Sequence, residues 1–263
     1  MRIEVNGTTL NVFQQFASRK PQSTIVAPAL VFLHYFGGSS RAWSKVIGEL
    51  SNEYYCIAPD MRGFGDSDAA PTNYAVSDSV DDVAALIDAL RLEHYVLVGH
   101  SMGGKIALSF AARRPLGLKS LILLAPSPPS PEPIPDDERA RLLATYGERS
   151  AAADTLAKIT AQPLPHELLE QALKDNLRTS RAAWTAWLER GSREDITSQT
   201  SQVHVPVLVV AGAKDKAMTA ELLQREVVRR IAGARLKSIP AAGHLLPLEA
   251  PQATANLIRK HIQ

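Results

Sequence analysis

Thiol chemistry is almost missing from this chain, which has one cysteine, Cys56, among its 263 residues. Cys56 has no partner for an internal disulfide, and its place in an apolar run marks it as a small buried hydrophobe. An excess of either charge is missing too. The 29 Lys and Arg stand against 27 Asp and Glu, a formal net charge of +2, with no dense basic cluster. That balance argues against nucleic acid or an anionic membrane as the main partner. No apolar run approaches the roughly 20 residues of a membrane span. The N-terminal MRIEVNGTTLNVFQQF alternates apolar and polar residues and lacks a signal peptide's hydrophobic stretch. A cytoplasmic, reducing setting is the expectation. The sequence has neither a metal-ligand cluster nor a Gly-x-Gly-x-x-Gly fingerprint, so no metal or other cofactor is expected.

What is present is an alternation of short apolar runs with helical patterns. Residues 29–36, 54–60, 95–100, 120–126, 205–212 and 235–241 read as strands. Most are continuously apolar, as parallel strands covered on both faces are. The N-terminal stretch, with Asn6-Gly7 at its turn, reads as an antiparallel hairpin at the sheet's edge. Helices are expected over 76–93, with Ser77 or Asp78 as N-cap, over 219–233 from Thr219 to Gly233, and over the last 13 residues. Such alternation predicts a doubly wound, mainly parallel α/β sheet. The rhythm breaks after the sixth strand, at the proline-rich PSPPSPEPIPDDE. Beyond it, 136–147, 150–160, 166–178 and 180–190 carry only helical patterns. The expected organisation is a core of residues 1–126 and 204–263, with a helical cap over 127–203.

The chemistry concentrates where LVGHSMGG passes from strand to helix. Gly99 and Gly103 flank Ser101 in the Gly-x-Ser-x-Gly spacing of a nucleophile elbow, a turn too sharp for bulky neighbours. The turn lifts the serine hydroxyl above the carboxyl ends of the strands and puts the Met102 amide at a helix N-terminus. A serine needs a base to take its proton. Among seven histidines, His244 in IPAAGHLLPLEAP follows a strand and sits in a glycine-containing loop. His94, His166, His204 and His261 lie in helical or connecting stretches and read as packed or solvated side chains. Asp215, just past the end of a buried strand, supplies the carboxylate that would orient the imidazole. Ser101, Asp215 and His244 also follow one another in the α/β-hydrolase chain order.

Together these residues resemble the serine-nucleophile branch of the α/β-hydrolase superfamily. GHSMGG is similar to its elbow, AGAKD to its acid loop and AAGHLLPLEAP to its histidine loop. LHYFGGSSRAW is similar to its oxyanion loop, and IAPDMRGFGDSD to the glycine-rich loop after the next strand. The resemblance implies an oxyanion hole from the backbone N–H groups of Phe36 and Met102. Tyr35 departs from the pattern, since the family usually has glycine there; it either reshapes the loop or contacts substrate. His34 is expected to brace that loop and His100 to pack beneath the nucleophile. Asp60, Arg62 and Asp66 are expected to hold turns together. Trp184 and Trp187, on one helix face, either line the substrate pocket or fasten the cap. The expected activity is hydrolysis of a small carboxylic ester or lactone through an acyl-enzyme. Carbon–carbon hydrolysis of a vinylogous diketone, perhydrolase or haloperoxidase chemistry, and ligand reception by a vestigial triad are the alternatives.

Overall fold

The computed structural model describes residues 1–18, 27–70 and 72–263. Eight strands form one sheet: β1 (Arg2–Val5), β2 (Thr8–Gln15), β3 (Ala29–Leu33), β4 (Cys56–Pro59), β5 (Tyr95–His100), β6 (Leu118–Leu124), β7 (Val207–Gly212) and β8 (Arg235–Ile239). Their spatial order is β1-β2-β4-β3-β5-β6-β7-β8. The hairpin β1–β2 turns at Asn6-Gly7, and β2 joins β4 antiparallel; every later pair is parallel. Every residue of β3, β4, β5 and β7 is buried, the reason those runs carry no polar alternation.

The helices are α1 (Ser44–Leu50), α2 (Val76–Ala89), α3 (Met102–Ala112), α4 (Asp136–Ala144), α5 (Arg149–Ile159), α6 (His166–Arg178), α7 (Arg181–Glu189), α8 (Ala220–Glu226), α9 (Leu246–Glu249) and α10 (Pro251–Ile262). α1 packs on α10, and α2 packs on α3. Between β6 and β7 the described residues form helices α4 to α7 and 3-10 turns, without a strand. A second apolar cluster joins this helical insertion to the sheet body: Tyr35, Leu245 and Leu248 meet Ala152, Leu156 and Leu173 there. Among the described residues no helix is long and apolar enough to cross a membrane.

Element ends differ from the sequence expectations. The strand expected over 29–36 stops at Leu33, and the helix expected to reach 93 stops at Ala89. Neither Ser77 nor Asp78 is the N-cap of α2. Ala75 holds that place, and the Asp78 carboxylate accepts the Ala75 N–H at 2.8 Å from three positions inside. Thr219 does cap α8, accepting the Leu222 N–H at 3.2 Å, but the α-helix ends at Glu226 and gives way to a 3-10 turn.

Candidate active site

The sharp turn between β5 and α3 puts Ser101 at φ 52°, ψ −116°, a left-handed backbone that side-chain-bearing residues rarely adopt. Its N–H donates to the Leu124 carbonyl at 3.0 Å, which ties the turn to the end of β6. The glycines around it answer to close contact. A methyl on Gly99 would lie 2.4 Å from the Gly103 carbonyl oxygen, and one on Gly103 would lie 2.5 Å from that of Leu33.

The loops after β7 and β8 bring the other two side chains to this turn. Nε2 of His244 lies 2.9 Å from the Ser101 hydroxyl, and Nδ1 lies 2.7 Å from Oδ2 of Asp215. The other carboxylate oxygen of Asp215 accepts the N–H groups of Ala217 and Met218 at 2.8 and 3.0 Å. Burial by itself would raise the Asp215 carboxyl. The His244 hydrogen bond and charge, with the two amides, outweigh burial and hold it below the usual carboxylate range. An ionised Asp215 accepts the Nδ1–H, which leaves the Nε2 lone pair directed at the hydroxyl. Ser101, Asp215 and His244 are 8%, 5% and 6% exposed, so the three side chains meet out of bulk water. Such an arrangement can take a proton from the serine oxygen and return it to a leaving group.

Met102 opens α3, and Phe36 follows the end of β3. Among the described residues neither backbone N–H finds a protein acceptor. The Gly103 N–H donates to the His34 carbonyl at 3.2 Å, so the two segments run side by side. His34 braces its own loop. Nδ1 donates to the Tyr35 carbonyl at 2.8 Å, and Nε2 accepts the Met61 N–H at 2.9 Å. Burial pushes its pKa down and keeps the ring neutral, as that pairing requires. The Tyr35 ring sits in the second apolar cluster, 5.3 Å from the His100 ring. The Phe36 ring lies tilted against Trp184, with centroids 4.4 Å apart, and 6.3 Å from Trp187. Trp184 also donates its indole N–H to the Leu142 carbonyl at 3.0 Å.

The charged residues of the glycine-rich loop are spent on structure. Asp60 accepts the N–H groups of Ser40 and Asp66 at 2.6 and 2.9 Å. Arg62 forms a buried pair with Asp82, at 2.5 and 2.6 Å, and Asp66 pairs with Arg178 of α6. One contact of His244 has no sequence signal at all. Its N–H donates to the Ile159 carbonyl of the insertion at 2.8 Å. His100 does more than pack. Its Nε2–H donates to the His244 carbonyl at 2.8 Å.

Comparison with known proteins identifies the family and the fold. A 2-succinyl-6-hydroxy-2,4-cyclohexadiene-1-carboxylate synthase of Serratia proteamaculans is 30% identical over 250 residues, which cover 89% of this chain and 93% of that protein. 3-Oxoadipate enol-lactonase 2 of Acinetobacter baylyi is 27% identical over 233 residues, covering 86% and 85%. The structure of an esterase from Exiguobacterium antarcticum superimposes with a TM-score of 0.88 at 22% identity, covering 99% of this chain and 98% of that one. The profile described as the alpha/beta hydrolase family matches residues 30–257. This chain belongs to the alpha/beta hydrolase family.

Proposed function

We propose that the protein is a serine hydrolase that cleaves a small carboxylic ester or lactone through an acyl-enzyme. The observation that carries this reading is the unbroken chain from the Ser101 hydroxyl through His244 to Asp215, at 2.9 and 2.7 Å. His244 takes the Ser101 proton, and the serine oxygen attacks the substrate carbonyl. The N–H groups of Phe36 and Met102 receive the oxyanion; a donor so placed is typically worth about 10²–10³ in rate. His244 protonates the departing alcohol, then takes a proton from the water that releases the acid. Asp215 keeps the imidazole in one tautomer throughout. Residues 127–203 act as a cap over the site, and Tyr35, Trp184 and Trp187 line its apolar wall. Substrate and water are the only reactants this mechanism requires.

The enol-lactonase of Acinetobacter baylyi supports a lactone among the candidate substrates. Carbon–carbon hydrolysis of a vinylogous diketone, which the same three side chains could also carry out, is the second reading. The deciding experiment is a panel of aryl esters graded by acyl length, with lactones and one ring-fission diketone. Ester or lactone turnover is expected to dominate, and Ser101→Ala to lower kcat by about 10⁴-fold or more. Wild-type hydrolysis by Ser101→Ala would overturn the reading, and dominant diketone cleavage would replace it with the second.

A further inference from the structure

Asp215 orients the His244 ring, but the ring's height above Ser101 depends on the backbone that carries it. That backbone is gripped from every side. Its N–H donates to the Ile159 carbonyl at 2.8 Å, and its carbonyl accepts the His100 Nε2–H at 2.8 Å. Burial first, and the neighbouring His244 second, lower the His100 pKa to about 3, so this donor persists at any working pH. On either side of the histidine the Gly243 and Leu245 N–H groups donate to the two oxygens of Glu249, each at 2.9 Å.

Glu249 has a third bond that closing its own loop does not require. The oxygen that accepts Gly243 also accepts the Ala161 N–H at 2.7 Å, from a residue 88 positions away. Ala161 follows α5 in the helical insertion. Contact there is close enough that a methyl on Gly243 would lie 2.6 Å from the Ala161 nitrogen and 2.7 Å from the Ile159 oxygen. One carboxylate thus gathers three backbone donors, two flanking the histidine and one in the insertion.

We propose that Glu249 is a positioning residue that sets the His244 imidazole over Ser101 and keys that setting to the seat of the helical insertion. This rests on the role of His244 as base. With 2.9 and 2.7 Å on its two nitrogens, the ring has little slack, and a displacement of about 1 Å in such a relay can cost about 10²-fold in rate. An insertion lifted from its seat would withdraw the Ile159 and Ala161 contacts together. The relay is therefore complete only with the insertion in place.

The test compares Glu249→Ala and Glu249→Gln with the wild type, well below each melting temperature. Glu249→Ala is expected to lower kcat on a short aryl ester by about 10–100-fold with KM within about threefold. Glu249→Gln keeps one acceptor oxygen but sets an NH2 group against at least one of the three backbone donors, so its kcat should lie between those of Glu249→Ala and the wild type. The proton NMR signal of the His244 Nδ1–H should broaden or vanish in Glu249→Ala and return only in part in Glu249→Gln. Amide exchange in Glu249→Ala should quicken at Ala161 as well as at Gly243 and Leu245. A wild-type kcat and an unchanged Nδ1–H signal, with only the melting temperature lowered, would overturn the proposal. Quickened exchange at 243 and 245 with Ala161 still protected would overturn the link to the insertion. If Glu249→Ala does not fold, Glu249→Gln alone decides: wild-type kcat and signal there, with quickened exchange at 243 and 245, also overturn the proposal. Ser101→Ala separates the two levels. If it is inactive while Glu249→Ala is fully active, only the positioning role fails; if Ser101→Ala is active, the underlying reading of the site fails.

Discussion

At the scale of single residues, the site is a strained serine held by backbone contacts that tolerate no added atom. Ser101 at φ 52° costs of the order of 1–3 kcal/mol, which the surrounding bonds must offset. Gly103 is the tightest of those surroundings for function, because it touches the segment that leads into Phe36. A methyl there would meet the Leu33 and His34 carbonyl oxygens at 2.5 and 2.7 Å, both of them backbone atoms that cannot rotate away. Gly103→Ala is therefore expected to push the elbow and the β3 end apart and separate the Phe36 and Met102 amides. Overpacking of this kind costs about 1–3 kcal/mol. The expected result is a melting temperature lower by several degrees and kcat lower by more than tenfold, read by thermal melting and steady-state kinetics. A variant that melts and turns over like the wild type would contradict the contact. Ser101, Asp215 and His244 could be picked out in the sequence because each needs a specific residue type at the carboxyl end of a strand. The bonds from Ile159 and His100 to the His244 backbone could not, since a carbonyl has no residue type and its partner lies far along the chain.

At the scale of elements, the central strands declared themselves through continuous apolar runs, and the longer helices through their periodicity. Short helices did not. α1 spans only Ser44–Leu50, carries Gly48 and lies on α10, so tertiary packing rather than local preference makes it helical. Boundaries were equally hidden. Ala75 caps α2 only by virtue of the Asp78 carboxylate that reaches back to its N–H. The composition of α1 leads to a prediction opposite in sign to the last one. Gly48 is exposed, and an added Cβ would meet nothing within 4 Å. Gly48→Ala should stabilise the protein by about 0.5–1 kcal/mol, because alanine has fewer unfolded conformations to lose. A higher denaturant midpoint with an unchanged slope and unchanged kcat is the expected reading; a lower midpoint would contradict it.

Across the whole molecule, the helical insertion is bound to the sheet body by buried polar ties as well as by apolar packing. Its position between β6 and β7 could be read from the proline-rich break, but these ties could not. Lys105 is the plainest of them. It lies wholly buried in the first turns of α3, just beyond Ser101, and its ammonium donates to the carbonyls of Ser130 and Glu194, at the two ends of the insertion. No carboxylate pairs with it among the described residues. Burial, only partly offset by Glu132, Glu194 and Asp195, lowers its pKa from 10.5 to about 8. The folded protein thus releases this proton near pH 8, whereas the unfolded chain keeps it to about 10.5. Between those values unfolding takes up a proton, so the contribution of Lys105 to stability rises with pH through that window. Below pH 8 the cost of burying the charge is present in full. Lys105→Met removes the titration while keeping much of the volume; beyond Glu132 and Asp195, which feel the Lys105 charge, the other groups titrate alike in both proteins. The melting temperature of the wild type minus that of Lys105→Met should therefore increase from pH 7.5 to pH 10, whatever its sign at the start. A difference that stays flat or falls over that range would mean that the ammonium reaches water and does not bind the insertion to α3.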